Sequence, residues 1–270
     1  MSGVLERTLG VLEMLAAHPE GLSPGKVADK LNIPASAAHR LLTELVQRGY
    51  VRQNRDLGDY ELTTKLVAMV LDYMGAAGIV DFAQPVLDAL AQKTGEFIRL
   101  AVIDGTRLTW VARSQGARKG LRYDPDIDAT ARLSCTASGH AWLSTMSDDD
   151  ALMLVARQGF GSPKDYGPNA PTTPRRLLEM LGTARKRGWS MTHDMFDAGL
   201  ASMATPIWRD RKTPVGVLSI AGPSVRLSEA RMHELAPALL EAARDIALAS
   251  GTSPLFASRR VGGEKREAAE

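Results

Sequence analysis

Two short helical segments separated by a tight break constrain the fold of this chain more than any other stretch. The first begins at Ser23, a good N-cap residue that is followed by Pro24 at the first helical position, and it breaks at residues 32–34. The second begins near Pro34, and the whole unit reaches Tyr50. This pattern predicts a helix-turn-helix.

The second of these helices has two different sides. At about 100° per residue, its apolar side collects Ala38, Leu41, Leu42 and Leu45, and its polar side collects Ser36, Arg40, Thr43 and Gln47 with His39 beside them. Hydroxyl, amide, imidazole and guanidinium groups suit phosphates and the base edges of the major groove. The helix is therefore expected to read DNA, and the alternative is an ordinary polar face on a small helical bundle.

Two short β-rich segments, residues 50–53 and 60–62, follow this helix. The loop between them is rich in turn-forming residues and carries Arg55. The pattern extends the prediction to a winged helix-turn-helix, in which Arg55 is a further candidate for DNA contact. Residues 4–17, which have leucines along one face, predict a supporting helix before it.

The charge of this region is local. Residues 1–62 carry seven Lys or Arg and eight Asp or Glu, which counts against nonspecific binding driven by charge alone. The stretch from Lys26 to Arg55, however, contains six basic residues and only two acidic ones. A small positive footprint therefore lies at the predicted DNA-reading segment.

The remaining pattern predicts an α+β protein with four parts. Residues 1–62 form the DNA-binding domain, 63–78 a linker helix, 79–250 a second domain in which strands and helices are mixed, and 251–270 a disordered tail. No apolar run is long enough to span a bilayer, and the N-terminus has no signal-peptide pattern. We therefore expect a cytoplasmic protein with no membrane partner.

Candidate chemistry is sparse. The five histidines are scattered without metal-binding spacing, and no phosphate-binding glycine loop is present, so neither a metal site nor a cofactor is expected. Cys135 and His140 suggest a thiol and a base, but no acid that would orient the base is evident, and a structural role is favoured. Free N–H groups at the helix start Thr136–Gly139 suit a carboxylate, unless these small residues only permit close packing.

Four motifs carry a resemblance to a known family. They are ERTLGVLEML, IPASAAHRLLTELVQRGYV, RLSCTASGHAWL and ATPIWRDRKTPVGVLSIAGPSVRLSEARMHELAPALLEAARDIA, in that order along the chain. Up to about Ser250 the chain resembles the IclR family of bacterial transcription regulators. The resemblance implies a winged-helix domain, a linker helix used in dimerisation, and a GAF-like effector-binding domain for a small, often carboxylated metabolite. It also assigns DNA contact to Ser36, His39, Arg40, Thr43 and Arg55.

The same resemblance suggests the effector-binding residues. Family members that bind small keto acids use positions that match Ser138 and Gly139, an acid near Asp194 for which Asp197 is the alternative, a cysteine where this chain has Ser202, and two serines where it has Ser219 and Ala221. Trp110, Leu133 and Met203 are expected to add an apolar wall, provided that the strands place them inward. We therefore expect an aromatic or medium-chain carboxylic acid, or its amide, rather than glyoxylate.

These observations predict a ligand-responsive regulator. It is expected to act as a homodimer or a dimer of dimers, to bind a pseudo-palindromic operator in double-stranded DNA, and to respond to a small organic acid. The rival hypothesis is a metabolite-processing enzyme whose N-terminal helices serve oligomerisation. In that case the Arg40 face would be buried in a subunit contact.

Overall fold

The first unit of the chain, Met1–Ala76, places three helices before a hairpin and a fourth helix after it. The computed structural model describes residues 3–54, 58–76, 79–125, 131–161, 164–210 and 212–249. The elements of this unit are α1 (Val4–Ala16), α2 (Pro24–Leu31), α3 (Ala35–Gln47), β1 (Val51–Gln53), β2 (Tyr60–Leu62) and α4 (Lys65–Ala76). The predicted winged helix-turn-helix is confirmed. The helix predicted as a linker, α4, belongs to this first unit.

Local chemistry explains the break between α2 and α3. The Ser23 hydroxyl accepts the Lys26 N–H at 3.4 Å and caps α2, which has Pro24 at its first position. Asn32 ends that helix with φ at +52°, the left-handed conformation that asparagine tolerates. The apolar sides of the helices then bury one core with β1 and β2, which contains Val11, Leu15, Val27, Leu42, Leu45 and Tyr60.

The second unit, Ala77–Glu270, is built on one antiparallel sheet of five strands. Its elements are α5 (Ile79–Thr94), β3 (Phe97–Asp104), β4 (Arg107–Gln115), α6 (Ala137–Leu143), α7 (Asp148–Gln158), α8 (Pro174–Arg187), β5 (Ser190–His193), β6 (Leu200–Trp208), β7 (Pro214–Pro223) and α9 (Glu229–Ala249). The strand order is β4-β3-β7-β6-β5, and every neighbouring pair is antiparallel. The predicted α+β class is confirmed.

The two faces of this sheet carry different helices. On one face Ala204, Val217 and Ala101 pack into a core with Ala137 and Ala141 of α6. Because successive residues of a strand point to opposite faces, their immediate neighbours lie on the other side. Helices α5 and α9 pack against each other and against strands of the sheet. The sheet therefore separates a face covered by α6 from a second face, against which α5 and α9 pack.

Two further expectations from the sequence concern the tail and the membrane. The tail expected at residues 251–270 lies outside the described residues. Within the described part of the chain, no helix is long and apolar enough to cross a membrane.

Helix α6 lies so close to the chain before it that residue 139 must be glycine. A Cβ built on Gly139 would overlap the backbone carbonyl of Leu133, whereas one built on Gly182 of α8 would meet no described neighbour within 4 Å. Gly139→Ala should therefore destabilise the protein by about 1–3 kcal/mol through overpacking. Gly182→Ala should stabilise it by about 0.5–1 kcal/mol because alanine is the better helix former. Denaturant unfolding of both variants measures this, and equal stabilities would refute the packing argument.

Candidate functional site

The polar side of α3 is free in the first unit. Ala38, Leu41, Leu42 and Leu45 are buried, and the opposite side chains Ser36, His39, Arg40, Thr43 and Gln47 are all exposed. The structure thus places the five α3 residues predicted to contact DNA on one accessible face. The sixth, Arg55, lies outside the described residues.

Ion pairs reduce the free charge of the surrounding footprint. The Nε and Nη2 atoms of Arg52 both donate to Glu61 Oε2, at 3.1 and 2.9 Å. Hydrogen bonds from Asn54 and Arg52 lower the pKa of Glu61, so its carboxylate stays ionised. Arg48 pairs with Glu44 at 3.2 Å along α3. Arg40 takes part in none of the ion pairs found among the described residues, so its guanidinium is available for phosphate or a base edge.

The second unit contains a cavity of about 450 Å³ between the sheet, α6 and two loops. Five residues predicted to contact the effector line it: Trp110 on β4, Ser138 on α6, Ser202 on β6, and Ser219 and Ala221 on β7. The other lining residues are Arg99, Tyr123, Asp124, Pro125, Ala131, Arg132, Thr136, Phe196, Asp197 and Leu200. We call the exposed ones among them, Asp124, Arg132 and Asp197, the cavity mouth.

Leu133 and Gly139, both predicted to contact the effector, do not line this cavity. Leu133 is buried in the core that α6, α7 and α8 form. The Gly139 N–H, which the prediction left free for a carboxylate, donates to the Thr136 hydroxyl at 3.0 Å as part of the helix cap. Of the two readings of this helix start, close packing applies to Gly139, because the residue abuts the Leu133 backbone.

Asp194 and Met203 also lie elsewhere. The Asp194 carboxylate accepts the Gly199 N–H at 2.7 Å and lies 3.2 Å from His193 Nδ1, so it stabilises a turn. Asp197, the alternative acid, lines the cavity mouth. Met203 follows Ser202 on β6 and is fully buried on the opposite face of the sheet, because side chains alternate along a strand.

Arg99 and Tyr123 are cavity residues that the sequence reasoning missed. Arg99 lies in the middle of β3, and its guanidinium carbon is 4.0 Å from the centroid of the Trp110 ring. Burial lowers the pKa of Arg99 and raises the pKa of Tyr123. The available signal was a single charged residue inside the apolar run FIRLAVI.

The loop that carries Tyr123 is fixed by three contacts. Gln115 Nε2 donates to the Tyr123 carbonyl at 2.9 Å, and the Tyr123 ring meets Phe97 edge-on with centroids 5.9 Å apart. Arg226 Nη1 donates to the Leu121 carbonyl at 2.6 Å, while its Nε and Nη2 bind the two carboxylate oxygens of Glu96 at 2.9 Å each. The bidentate pair with Glu96 raises the pKa of Arg226 and holds it in place for Leu121.

Family models match both units of the chain. The model described as bacterial transcriptional regulator IclR C-terminal matches residues 71–248, and the model described as IclR helix-turn-helix domain matches residues 4–55. The chain belongs to the IclR family of bacterial transcriptional regulators. The family resemblance seen in the sequence motifs is thereby confirmed.

Relatives of this IclR-family chain are named as repressors. The acetate operon repressor of Salmonella typhimurium strain LT2 is 28% identical over 248 residues, which cover 92% of this chain and 89% of the relative. The transcriptional repressor IclR of Escherichia coli K12 is 27% identical over 248 residues, with the same coverage of both chains. The chain is thus a DNA-binding transcriptional regulator and not an enzyme, as predicted.

A solved structure shares the fold over nearly the whole length. It is an IclR homolog from Microbacterium hydrocarbonoxydans complexed with 4-hydroxybenzoate, which is 22% identical and has a TM-score of 0.75 over 91% of this chain and 98% of the other. At this identity the similarity concerns the fold.

Cys135 and His140, the candidate thiol and base, are both buried. Burial raises the pKa of the Cys135 thiol to about 11. His140 is buried, its pKa is lowered by burial, and its Nε2 lies 2.7 Å from the Ser134 carbonyl. A protonated thiol and a histidine engaged with the backbone do not form an activated nucleophile. Among the described residues, no three His, Cys, Asp or Glu side chains form a group that could hold a metal.

Cys135 should therefore be inert in the folded protein. At pH 8 a thiol with a pKa of about 11 is ionised to about one part in a thousand, so native Cys135 should react with a thiol reagent ~100-fold more slowly than in the unfolded chain. The assay follows labelling by mass spectrometry with and without guanidinium, and Cys135 is the only cysteine to be labelled. Rapid labelling of native protein at neutral pH would instead indicate an activated thiol.

Proposed function

We propose that this IclR-family regulator binds operator DNA through α3 and the β1–β2 hairpin, and that a small organic acid in the cavity of the second unit changes that binding. The main support for effector binding is the cavity itself. Its volume of about 450 Å³ lies in the range of small-molecule sites, and it combines aromatic side chains with a few polar ones. Ser138, Ser202, Ser219 and Ala221, which the family resemblance assigns to the effector, meet there.

In this proposal, the polar face of α3 contacts the bases and phosphates of the operator. Its members are Ser36, His39, Arg40, Thr43 and Gln47, with Arg55 of the hairpin loop added from the sequence. A second helix of a helix-turn-helix places such side chains in the major groove. Contact with an operator also places the regulator in the cytoplasm, where bacterial DNA lies.

We further propose that the chain acts as a homodimer or a dimer of dimers. Helices α1 and α4 of the first unit expose large apolar side chains: Leu5 is 73% exposed and Leu71 is 61% exposed. Several large apolar side chains exposed on one helix are typical of a protein–protein contact. One reading helix covers only a few base pairs, and two-fold related helices match half-sites about one helical turn apart, or a multiple of it. The exposed apolar side chains are Val4, Leu5 and Leu9 on α1, and Val67, Met69, Val70, Leu71 and Tyr73 on α4.

An aromatic carboxylic acid is the effector class that suits the cavity best. Trp110, Tyr123 and Phe196 supply aromatic surface, and Leu200 and Ala221 supply aliphatic surface. Phe196 and Leu200 thus take the place that the sequence reasoning gave to Leu133 and Met203. The bound 4-hydroxybenzoate of the Microbacterium homolog supports the same class.

Arg40→Ala should weaken operator binding by about 1–3 kcal/mol without changing thermal stability or oligomeric state, because Arg40 is exposed. Footprint titrations on a duplex that the wild-type protein has selected from a random pool measure the loss, and they should show two protected half-sites. Ser36→Ala should also weaken binding. The control is Arg107→Ala, which removes the same charge from an exposed position of the second unit. Unchanged affinity in both α3 variants, or a single unrepeated half-site, would contradict the proposal.

The cavity should bind benzoate and 4-hydroxybenzoate more tightly than glyoxylate or pyruvate. Ala221 supplies a methyl group where a serine hydroxyl would serve a very small acid, so the smaller acids lose a donor. Ala221→Ser should shift the preference toward glyoxylate. Calorimetry on the full chain gives the four affinities, and the tightest acid should then change the operator footprint. Tighter binding of glyoxylate to the wild type would refute this effector class.

A further inference from the structure

We infer that Arg99, supported by Trp110, is the anchor that makes this cavity select anionic effectors over neutral ones. The inference rests on the proposed effector function and specifies its chemistry. The sequence reasoning gave the anchoring role to the start of α6, where the Gly139 N–H is already engaged by Thr136. Another wall of the same cavity, formed by the sheet, also offers donors for a carboxylate.

Aromatic rings and a hydrogen bond with Tyr123 position the Arg99 guanidinium. Its carbon lies 4.0 Å from the Trp110 ring centroid, 5.5 Å from that of Phe97 and 5.9 Å from that of Tyr123. Cations attract the faces of aromatic rings, so these side chains hold the charge at the wall without neutralising it. Arg99 and Trp110 lie on the adjacent strands β3 and β4, which makes the wall part of the sheet rather than of a loop.

Two donors at this wall have no acceptor. Among the described residues, the buried side-chain atoms that lack a hydrogen-bond partner are Arg99 Nε and Trp110 Nε1. Both residues line the same cavity. Buried N–H groups are nearly always paired, and leaving one unpaired costs free energy. A ligand that brings acceptor oxygens to this wall removes that cost twice.

The charge at the wall also lacks a counter-charge. None of the ion pairs among the described residues includes Arg99. The acids that line the cavity, Asp124 and Asp197, are exposed at its mouth, and Asp124 already pairs with Arg122 at 2.9 Å. An arginine cannot deprotonate to escape this situation. A carboxylate on the ligand is thus the natural partner.

The hydroxyls of Ser202 and Ser219 are less available than this pair. Ser202 Oγ lies 2.7 Å from the Thr192 hydroxyl, and Ser219 Oγ donates to the Arg99 carbonyl at 3.4 Å. These serines retain some capacity to bind a ligand, but part of it is used by the protein. The arrangement favours a planar carboxylate at Arg99 and Trp110, with the body of the ligand along the aromatic and aliphatic surface.

Matched acids and amides test the charge directly. Calorimetry on the full-length protein would compare benzoate with benzamide, and hexanoate with hexanamide. The wild type should prefer each acid by about 10- to 100-fold, the range expected for hydrogen bonds to a charged group. Arg99→Met keeps an unbranched side chain over Trp110 but removes the charge and the donors. It should bring the ratio close to one, mainly by loss of affinity for the acid.

The control is Arg113→Met, which removes an exposed positive charge from the residue opposite Arg99 on β4. This change should leave the acid-to-amide ratio within about threefold, because a direct contact and not the general potential sets the preference. Arg99→Lys retains the charge without the planar fork and should keep part of the preference. It serves as the second variant if Arg99→Met does not fold, which thermal unfolding of the unliganded proteins would show.

Several results would overturn the inference. They are equal binding of acid and amide by the wild type, binding of none of the four compounds, a preserved preference in Arg99→Met, or a preference abolished by Arg113→Met. Failure of the proposed function has a different signature. In that case the acid binds through Arg99, but saturating acid leaves the operator affinity of the wild type unchanged.

Discussion

Alternation of side chains along the central strands gives the sheet of the second unit two faces, one that carries both the cavity and α6 and one opposite to it, and the rest of the site depends on that division. Ser202 on β6 and Ser219 and Ala221 on β7 face the cavity, while Met203, one residue further along β6, is fully buried on the other face. The period of two leaves no intermediate arrangement. The same phase places Arg99 of β3 in the cavity and Ala101, two residues later, in the core beneath α6.

A cavity that contains an uncompensated cation links ligand binding to stability. Arg99 Nε and Trp110 Nε1 are buried without acceptors, so the unliganded fold retains a cost that a bound acid would remove. A ligand that binds only the folded state also stabilises it by mass action. The polar groups of this site thus favour ligand binding and lower the stability of the unliganded protein, which is common at functional sites. The apolar core formed by α6, α7 and α8 around Leu133 supplies the stability that makes this possible.

The reading helix could be predicted because its signal is local. Spacing along α3 alone separates Leu41 and Leu45 from Arg40, and the fold preserves that separation. The cavity residues could not be predicted in the same way, because their positions depend on the three-dimensional fold and not on spacing along the chain. The phase of β6 decided the position of Met203, the helix cap used the Gly139 N–H, and a turn used the Asp194 carboxylate. Arg99 was missed because a charge inside an apolar strand is ordinarily placed at the solvent-facing side. Only the sheet and its loops show that this charge faces a cavity.

The contacts around Arg99 also limit how an effector could act. Tyr123 lies near Arg99, packs edge-on against Phe97, and belongs to the loop that Gln115 and Arg226 fix. An acid bound at Arg99 therefore lies beside Tyr123, a residue of this loop. A ligand shifts a conformational equilibrium only as far as its affinities for the two states differ, so the relevant difference is between arrangements of this loop and wall. Linkage is reciprocal: if the acid lowers operator affinity by some factor, the operator must lower affinity for the acid by the same factor. Under the proposed function, one coupling free energy links the binding of operator DNA to the binding of the acid.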